Sequence, residues 1–378
     1  MKTPAGRLLL ACVDAAITGN AIERIAREGA DPQIEWPDFV RLVLRHRIAP
    51  LAVDGLQKAG AKAPDCLVTE ARANKLAALG QVAESRRLLT VLDDAGIEAA
   101  VLKGPALSQQ LFGDPAMRQS KDIDLLVEWH DFRGAIERLE AIGYELAGPR
   151  PPFDTSRIDV WRRGWGAKDV ALVHPEGTYR IELHNRLFSV DALLPGLALA
   201  DLRQTVAIGG ARFRAFDTAD LFAYLATHGA TTFWHRLKWL ADIRAILEVS
   251  NADGLLERCR VLGVERCGAL AVLLCHRLWG VALPKQIATL LAEDSALANL
   301  DRRCMQALSQ DDGDGSAAET MRRTAASYRL RDNFAYRRSL TEAMLYHDRL
   351  VVRLPLPRAL APLYAPARLV DWFASRGR

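Results

Sequence analysis

Residues 118–129 read RQSKDIDLLVEW, and in this stretch two aspartates, Asp122 and Asp124, alternate with isoleucine and leucine at the start of a strongly apolar run. Alternation at period two predicts a β-strand whose successive side chains leave on opposite faces. Ile123 and Leu125 then enter a core, while Asp122 and Asp124 project together from the other face. Two carboxylates forced onto one face repel each other, so something must compensate. A divalent cation does so, because hard carboxylate oxygens suit magnesium. The alternative is a solvated strand end with Lys121 as ion-pair partner.

Outward from this strand the period changes repeatedly. IEAAVLKG (97–104) becomes more apolar along its length, as a buried strand does, and PALSQQLF then opens a helix with Pro105 at its start. HDFRGAIERLEAIG is an amphipathic helix stopped by Gly143, and YEL is a short strand. DVALVHPEGTYRIELHNRL (169–187) predicts two strands joined across Pro175-Glu176-Gly177, and TVAIGGARFRAF predicts a hairpin through Gly209-Gly210. Before Gly96 and after Asp217 the spacing is helical. The expected class is α+β, with a mixed β-sheet core between helical N-terminal and C-terminal segments. The expected domains are a helical segment at 1–96, the core at 97–216, a helical domain closing a cleft at 217–308, and a helical segment with a proline-punctuated surface tail at 309–378.

In the strand YRIELH, Arg180, Glu182 and His184, with Arg186 beyond, share one face. A third carboxylate beside the aspartate pair completes a site able to hold two metal ions roughly 3.5–4 Å apart, the arrangement for in-line phosphoryl or nucleotidyl transfer. Glu182 is the candidate, and an ion pair with Arg180 or Arg186 is its plainer reading. Lys103 and Gly104 end one strand where a helix begins, so free backbone N–H groups and the positive helix end face an anion. Gly104 allows close approach of a phosphate and Lys103 adds charge; neither a Walker motif nor a GxGxxG fingerprint is present. Arg118 precedes the aspartates and can reach a phosphate bidentately. His184 is a group orienting Glu182, a nucleotide contact, or a satisfied buried histidine. Among His228, Arg236, Lys238 and Asp242, Arg236 or Lys238 is a candidate triphosphate contact, against a charged helix face around Trp234 and Trp239.

Half of the 378 residues are hydrophobic and a quarter charged, which fits an ordinary globular chain and leaves little room for disorder. The formal charge of +4 is spread through helical segments, so nucleic acid is not an expected partner although phosphate ligands are. Six cysteines without a CxxC pair imply a reducing cytoplasm and no structural zinc. Cys267, Cys275 and His276 belong to an apolar core helix, and SQDDGDGSAAE (309–319) reads as a linker, lacking the glutamate of a calcium loop. MKTPAGRLLLACVDAAI loosely imitates a signal peptide, but its apolar run of six residues before Asp14 predicts an amphipathic first helix instead. Membrane insertion is not expected.

The strand-KG-helix, the R-x-x-x-D-x-D-L-L-V run, the E-L-H strand and the later HGA…WHRLKWLADI segment resemble the bacterial uncharacterised nucleotidyltransferase family of the DNA polymerase β-like superfamily. The resemblance extends to RIAPLAVDGL near the N-terminus and to the LPLPRALAPLYAPARL tail. It implies that Asp122 and Asp124 bind catalytic Mg2+ (or Mn2+) and the nucleotide phosphates, and that Glu182 ligates metal or helps deprotonate the attacking hydroxyl. Where the superfamily usually carries a glycine-serine pair, this chain has Lys103-Gly104-Pro105. The implied reaction moves a nucleotidyl group from an NTP, ATP first, to an unknown acceptor such as a modified peptide or a molecule of a polysaccharide pathway. Kinase-like γ-phosphoryl transfer, a noncatalytic nucleotide-binding regulator and RNA modification are the alternatives.

Overall fold

The run DIDLLV folds as strand β2 (Asp122–Val127), second in a five-stranded sheet of order β1-β2-β5-β4-β3. The other strands are β1 (Ala99–Val101), β3 (Glu145–Leu146), β4 (Asp169–Val173) and β5 (Arg180–His184). Only β2 and β5 run parallel; the remaining pairs are antiparallel, and β6 (Gln204–Ile208) with β7 (Ala211–Ala215) forms a separate hairpin. This computed structural model describes residues 1–154, 157–177, 179–310, 317–346, 348–354 and 356–374. The segment expected to be a linker at 309–319 lies largely outside them.

Eighteen helices accompany the strands among the described residues. From the N-terminus they are α1 (Pro4–Thr18), α2 (Ile22–Gly29), α3 (Trp36–His46), α4 (Ala49–Lys58), α5 (Asp65–Asp93) and α6 (Gly104–Phe112). Between strands lie α7 (Phe132–Ala141) and α8 (Ile158–Arg162). After β7 come α9 (Thr218–Thr231), α10 (Leu237–Val249), α11 (Ala252–Val261), α12 (Glu265–Trp279), α13 (Lys285–Glu293) and α14 (Ser295–Ser309). The last are α15 (Ala317–Ser327), α16 (Phe334–Leu345), α17 (Asp348–Arg353) and α18 (Tyr364–Ala374). The expected α+β class, a mixed sheet with helices before and after it, is what forms. No helix is long and apolar enough to cross a membrane among the described residues.

The chain groups into two compact units, each assembled from three stretches. The helical unit takes Met1–Ala83, Lys103–Ser120 and Arg203–Leu330; the sheet-bearing unit takes Glu84–Leu102, Lys121–Leu202 and Arg331–Arg378.

In the helical unit α1 is capped by Thr3, whose hydroxyl accepts from the Gly6 N–H at 3.2 Å, with Pro4 at the first position. The expected amphipathic pattern is exceeded: Leu8, Leu9, Leu10, Ala11, Cys12, Val13 and Ala15 are all buried, because α2, α3, α4, α10 and α12 surround the helix. Its closest neighbour is α4, where a Cβ on Gly55 would stand 2.1 Å from the Cys12 carbonyl oxygen. Only glycine permits that approach, backbone against backbone. Cys267 and Cys275 are buried in α12, as expected for a core helix, and Cys66 is the exposed thiol among the six.

In the sheet-bearing unit the apolar face carries Ile123, Leu125, Val127, Val170, Leu172, Ile181 and Leu183, all buried. Helix α7 packs beside β3 and contributes Phe132, Ala135, Ile136 and Leu139, spaced at i, i+3, i+4 and i+7 as one helical face requires. The proline-punctuated tail forms short helices of this same unit and is mostly exposed, with Leu354, Leu360 and Leu363 at the surface and Ala361 and Tyr364 buried. The Tyr364 hydroxyl donates to the Leu354 carbonyl at 2.7 Å and accepts the Leu356 N–H at 3.1 Å, so backbone groups that the prolines leave without helical partners are satisfied by a side chain.

Gly55→Ala should push α1 from α4 and cost about 1–3 kcal/mol of stability. Urea denaturation checks this, and a neutral result would contradict the packing described.

Candidate functional site

Parallel pairing of β2 with β5 places Asp122 opposite Arg180, Asp124 opposite Glu182 and Leu126 opposite His184. Aligned residues on neighbouring parallel strands share a face, and the strands are only about 4.8 Å apart. Antiparallel pairing of β4 with β5 then sets Asp169 opposite His184 and the small Ala171 opposite Glu182. The sequence alternation thus becomes a compact acidic patch on one face of the sheet. Asp124, Glu182 and His184 each offer a ligand atom within 4.8 Å of the others. Asp124 and His184 are buried, Glu182 and Asp122 half-buried.

The hydrogen bonding of His184 is determined by charge. Burial, and then the Lys168 ammonium, lower the imidazole pKa, so the ring is neutral at neutral pH and carries one N–H. Its Nδ1 lies 3.5 Å from Lys168 Nζ, which can only donate. Nε2 therefore carries the proton and donates to Asp124 Oδ1 at 3.1 Å. Lys168 also pairs with Asp169, whose carboxylate is 3.8 Å from His184 Nδ1. Among the readings of His184, the geometry is that of a group orienting a carboxylate, but Asp124 rather than Glu182. Glu182 Oε2 lies 3.8 Å from Nε2, and Arg180 Nε is a loose 3.9 Å from the other Glu182 oxygen.

Burial pushes the Glu182 carboxyl up to about 6, reinforced by the charges of Asp124, Asp122 and Asp169 and only partly offset by Lys168. The patch therefore holds negative charge that its own cations leave incompletely neutralised. Two hard carboxylates beside a third acid, with this residual charge, are a donor set that fits Mg2+ or Mn2+.

The other candidates belong to the helical unit. Lys103 caps the N-terminus of α6 and its Nζ lies 5.5 Å from the Tyr224 ring centroid, a cation–π distance. Gly104 begins α6 at φ +68°, a conformation that explains the glycine; a Cβ there would meet nothing closer than Ser120 Oγ at 3.8 Å. Arg118 is buried, its Nε donating to both carboxylate oxygens of Asp242 at 3.0 and 2.9 Å. Lys238 is likewise buried and donates to the Gln119 carbonyl at 3.3 Å, and Arg236 donates to the Arg45 carbonyl. Burial raises the Asp242 carboxyl pKa, opposed by Arg118, Lys238 and Lys103. The charged face around Trp234 and Trp239 is packed rather than open to solvent. Trp234, Lys238 and Asp242 are all buried, because α10 also buries Leu237, Leu240, Ala241, Ile243, Ala245 and Ile246. His228 and His235 instead meet half-buried Trp239 edge-on, at 5.6 and 4.8 Å.

Lys168 and Asp169 are the site residues that sequence reasoning passed over. The signal was present: KDVALV at 168–173 repeats the pattern of KDIDLLV at 121–127, a charged pair opening an apolar strand. Only strand pairing shows that the second copy comes to lie beside the first site.

A mixed sheet carrying register-matched acids on one face and a candidate divalent-cation centre places the protein among α+β folds equipped for phosphate chemistry. The chain belongs to the uncharacterised nucleotidyltransferase family, whose pattern matches residues 32–280 and so takes in the entire five-stranded sheet. No curated protein shows significant similarity to it.

Two measurements test this geometry. In the metal-free protein, Glu182 with a pKa raised from 4.5 to about 6 binds its proton more tightly folded than unfolded. It therefore costs stability above its ordinary value, reaching at most about 2 kcal/mol above pH 6. Glu182→Gln should recover that amount at pH 7 in EDTA and nothing at pH 4, by thermal or urea denaturation; a loss of stability at pH 7 would contradict it. Arg118→Met should cost about 3–5 kcal/mol by leaving the Asp242 carboxylate buried without its main partner, and the double change Arg118→Met with Asp242→Leu should regain most of that.

Proposed function

We propose that the protein is a divalent-metal-dependent nucleotidyltransferase, transferring a nucleotidyl group from an NTP, ATP first, to an acceptor hydroxyl or phosphate with release of pyrophosphate. The observation that carries this reading is the Asp124–Glu182 register, which concentrates negative charge at one point of a sheet in a chain of this family. Asp122, Asp124 and Glu182 would hold the ion. Mg2+ or Mn2+ bound there would neutralise triphosphate charge and make the α-phosphorus easier to attack.

The chain's own residues divide the remaining work. His184 holds the Asp124 carboxylate in place through Nε2–H, and Lys168 holds His184 in that tautomer. Glu182, whose carboxyl is raised to about 6 in the metal-free protein, would give up its proton on holding the ion. Within the helical unit, Arg118 serves by fixing Asp242. The acceptor we favour is a peptide or a sugar of a surface-polysaccharide route, and the setting we favour is the cytoplasm.

Incubation with ATP labelled separately at the α- and γ-phosphates, with Mg2+ or Mn2+, tests the reading. Label should pass to acceptor from the α-position with stoichiometric pyrophosphate, and Asp124→Asn should lower the rate by about 10³-fold, with the fold retained. Transfer of the γ-label would make the enzyme a kinase. Tight binding without any transfer would make it a nucleotide-binding regulator, and either outcome overturns the proposal.

A further inference from the structure

We infer that a pocket of about 350 Å3 in the sheet-bearing unit, walled by Arg162, Arg163 and Arg186, is an oxyanion subsite that holds a phosphate or carboxylate group of the acceptor; its assignment to the acceptor rests on the proposed transferase reading. The pocket adjoins the acidic patch along one strand. Pairing of β5 with the chain before β4 continues past His184, with the Asn185 N–H donating to the Lys168 carbonyl at 2.8 Å. Arg186 follows two residues after His184, just past the end of β5.

Arg186 is the element that calls for a ligand. Its side chain is nine-tenths buried. Its Nη2 donates to the carbonyls of Gly164 and Ser189 at 3.4 and 3.2 Å, but Nε, also buried, makes no hydrogen bond. Asp191 approaches Nε at 3.4 Å without hydrogen-bond geometry and is itself largely exposed. A buried guanidinium N–H without an acceptor costs free energy that an entering oxyanion recovers. Two further cations stand at the wall. The Arg162 guanidinium carbon stands 4.4 Å from the Trp129 ring centroid, a cation–π distance. Arg163 is exposed and forms no ion pair among the described residues. Of the carboxylates around the pocket, Asp159 and Asp191 are exposed and Glu342 is engaged by Arg338 at 3.1 Å.

The adjoining wall adds a second unmet demand. Asn185 Oδ1 is buried without a donor, although its Nδ2 donates to the Ala167 carbonyl at 2.8 Å. A pocket of about 210 Å3 lined by Asn185, Leu187, Phe188, Leu194 and Leu199 shares Arg186 and Asp191 with the first. The acceptor class that fits is a molecule with an oxyanion, an adjacent N–H or O–H donor and an apolar body.

Thermal unfolding of the full chain in EDTA, in phosphate, acetate or chloride at matched ionic strength, tests the subsite. Phosphate stabilises folded proteins generally, so the readout is the difference between wild type and variants. Phosphate or acetate should raise the wild-type midpoint saturably. Arg163→Gln, at an exposed position, should weaken that binding by about tenfold and Arg186→Lys should abolish it. Preference for phosphate over acetate, or the reverse, identifies the acceptor's anion. Absence of any saturable oxyanion effect, or an effect that Arg163→Gln leaves unchanged, overturns the inference even where Arg186→Lys fails to fold. Asp124→Asn should bind the oxyanion as wild type does. A protein that does so but never transfers a nucleotide keeps the oxyanion pocket and loses the transferase reading.

Discussion

The site depends on one register: Asp124 beside Glu182 across the parallel β2–β5 pair. The acids cannot choose otherwise, because the apolar side of the same strands decides the pairing. A slip of one residue would carry Ile123, Leu125 and Val127 from the buried face to the acidic one and expose a continuous apolar surface. Burying those side chains is worth about 1.5–3 kcal/mol each, which exceeds the cost of holding the carboxylates together. The hydrophobic half of the sheet thereby enforces an electrostatic conflict on the other half. Such a conflict is tolerable where a bound cation relieves it.

The neighbouring groups moderate the conflict without removing it. Lys168 pairs with Asp169 and faces His184 Nδ1, and His184 in turn donates to Asp124. Because His184 is buried and neutral, it orients Asp124 without neutralising it. A protonated histidine at this position would satisfy the carboxylate and weaken its hold on a metal. Glu182, without such a hydrogen-bonding partner, carries the residual strain as a raised pKa. Two acids side by side thus meet different surroundings, Asp124 a histidine donor and Glu182 burial beside like charges.

Short-range periodicity made much of this legible before any coordinates. The alternation of 122–127 gave the strand and the projecting acids, and Pro105, Gly143 and Gly209-Gly210 marked the boundaries they in fact form. Three things were not legible. Sheet order places β4 beside β5, and only that pairing brings Asp169 and Lys168 to the site. The Arg118–Asp242 pair joins residues 124 positions apart, and such a partner cannot be read from local pattern. The tail's prolines gave no sign of the short helices it forms or of the buried Tyr364 that bonds their backbone. Tertiary burial decided each of these, and periodicity carries no information about which distant segment supplies the partner.

The boundary of the family match bears on how acceptor and chemistry are divided. The matched residues 32–280 contain the whole sheet, both aspartates, Glu182 and His184. The sheet-bearing unit nevertheless needs Arg331–Arg378 to be complete, since Arg331 holds the carbonyls of Ala192 and Leu193 at 3.0 and 2.9 Å. Ser339 and Glu342 from the same region line the arginine pocket. Residues within the match thus set the acids and supply Arg162, Arg163 and Arg186 of the pocket, while Ser339 and Glu342 beyond it complete the lining. A phosphotransfer centre needs a fixed charge arrangement, whereas acceptor recognition needs only a surface that can be recut. Changes at Ser339 or Glu342 would alter the pocket without moving β2 against β5, whereas Arg186 follows directly on the strand that carries Glu182 and His184.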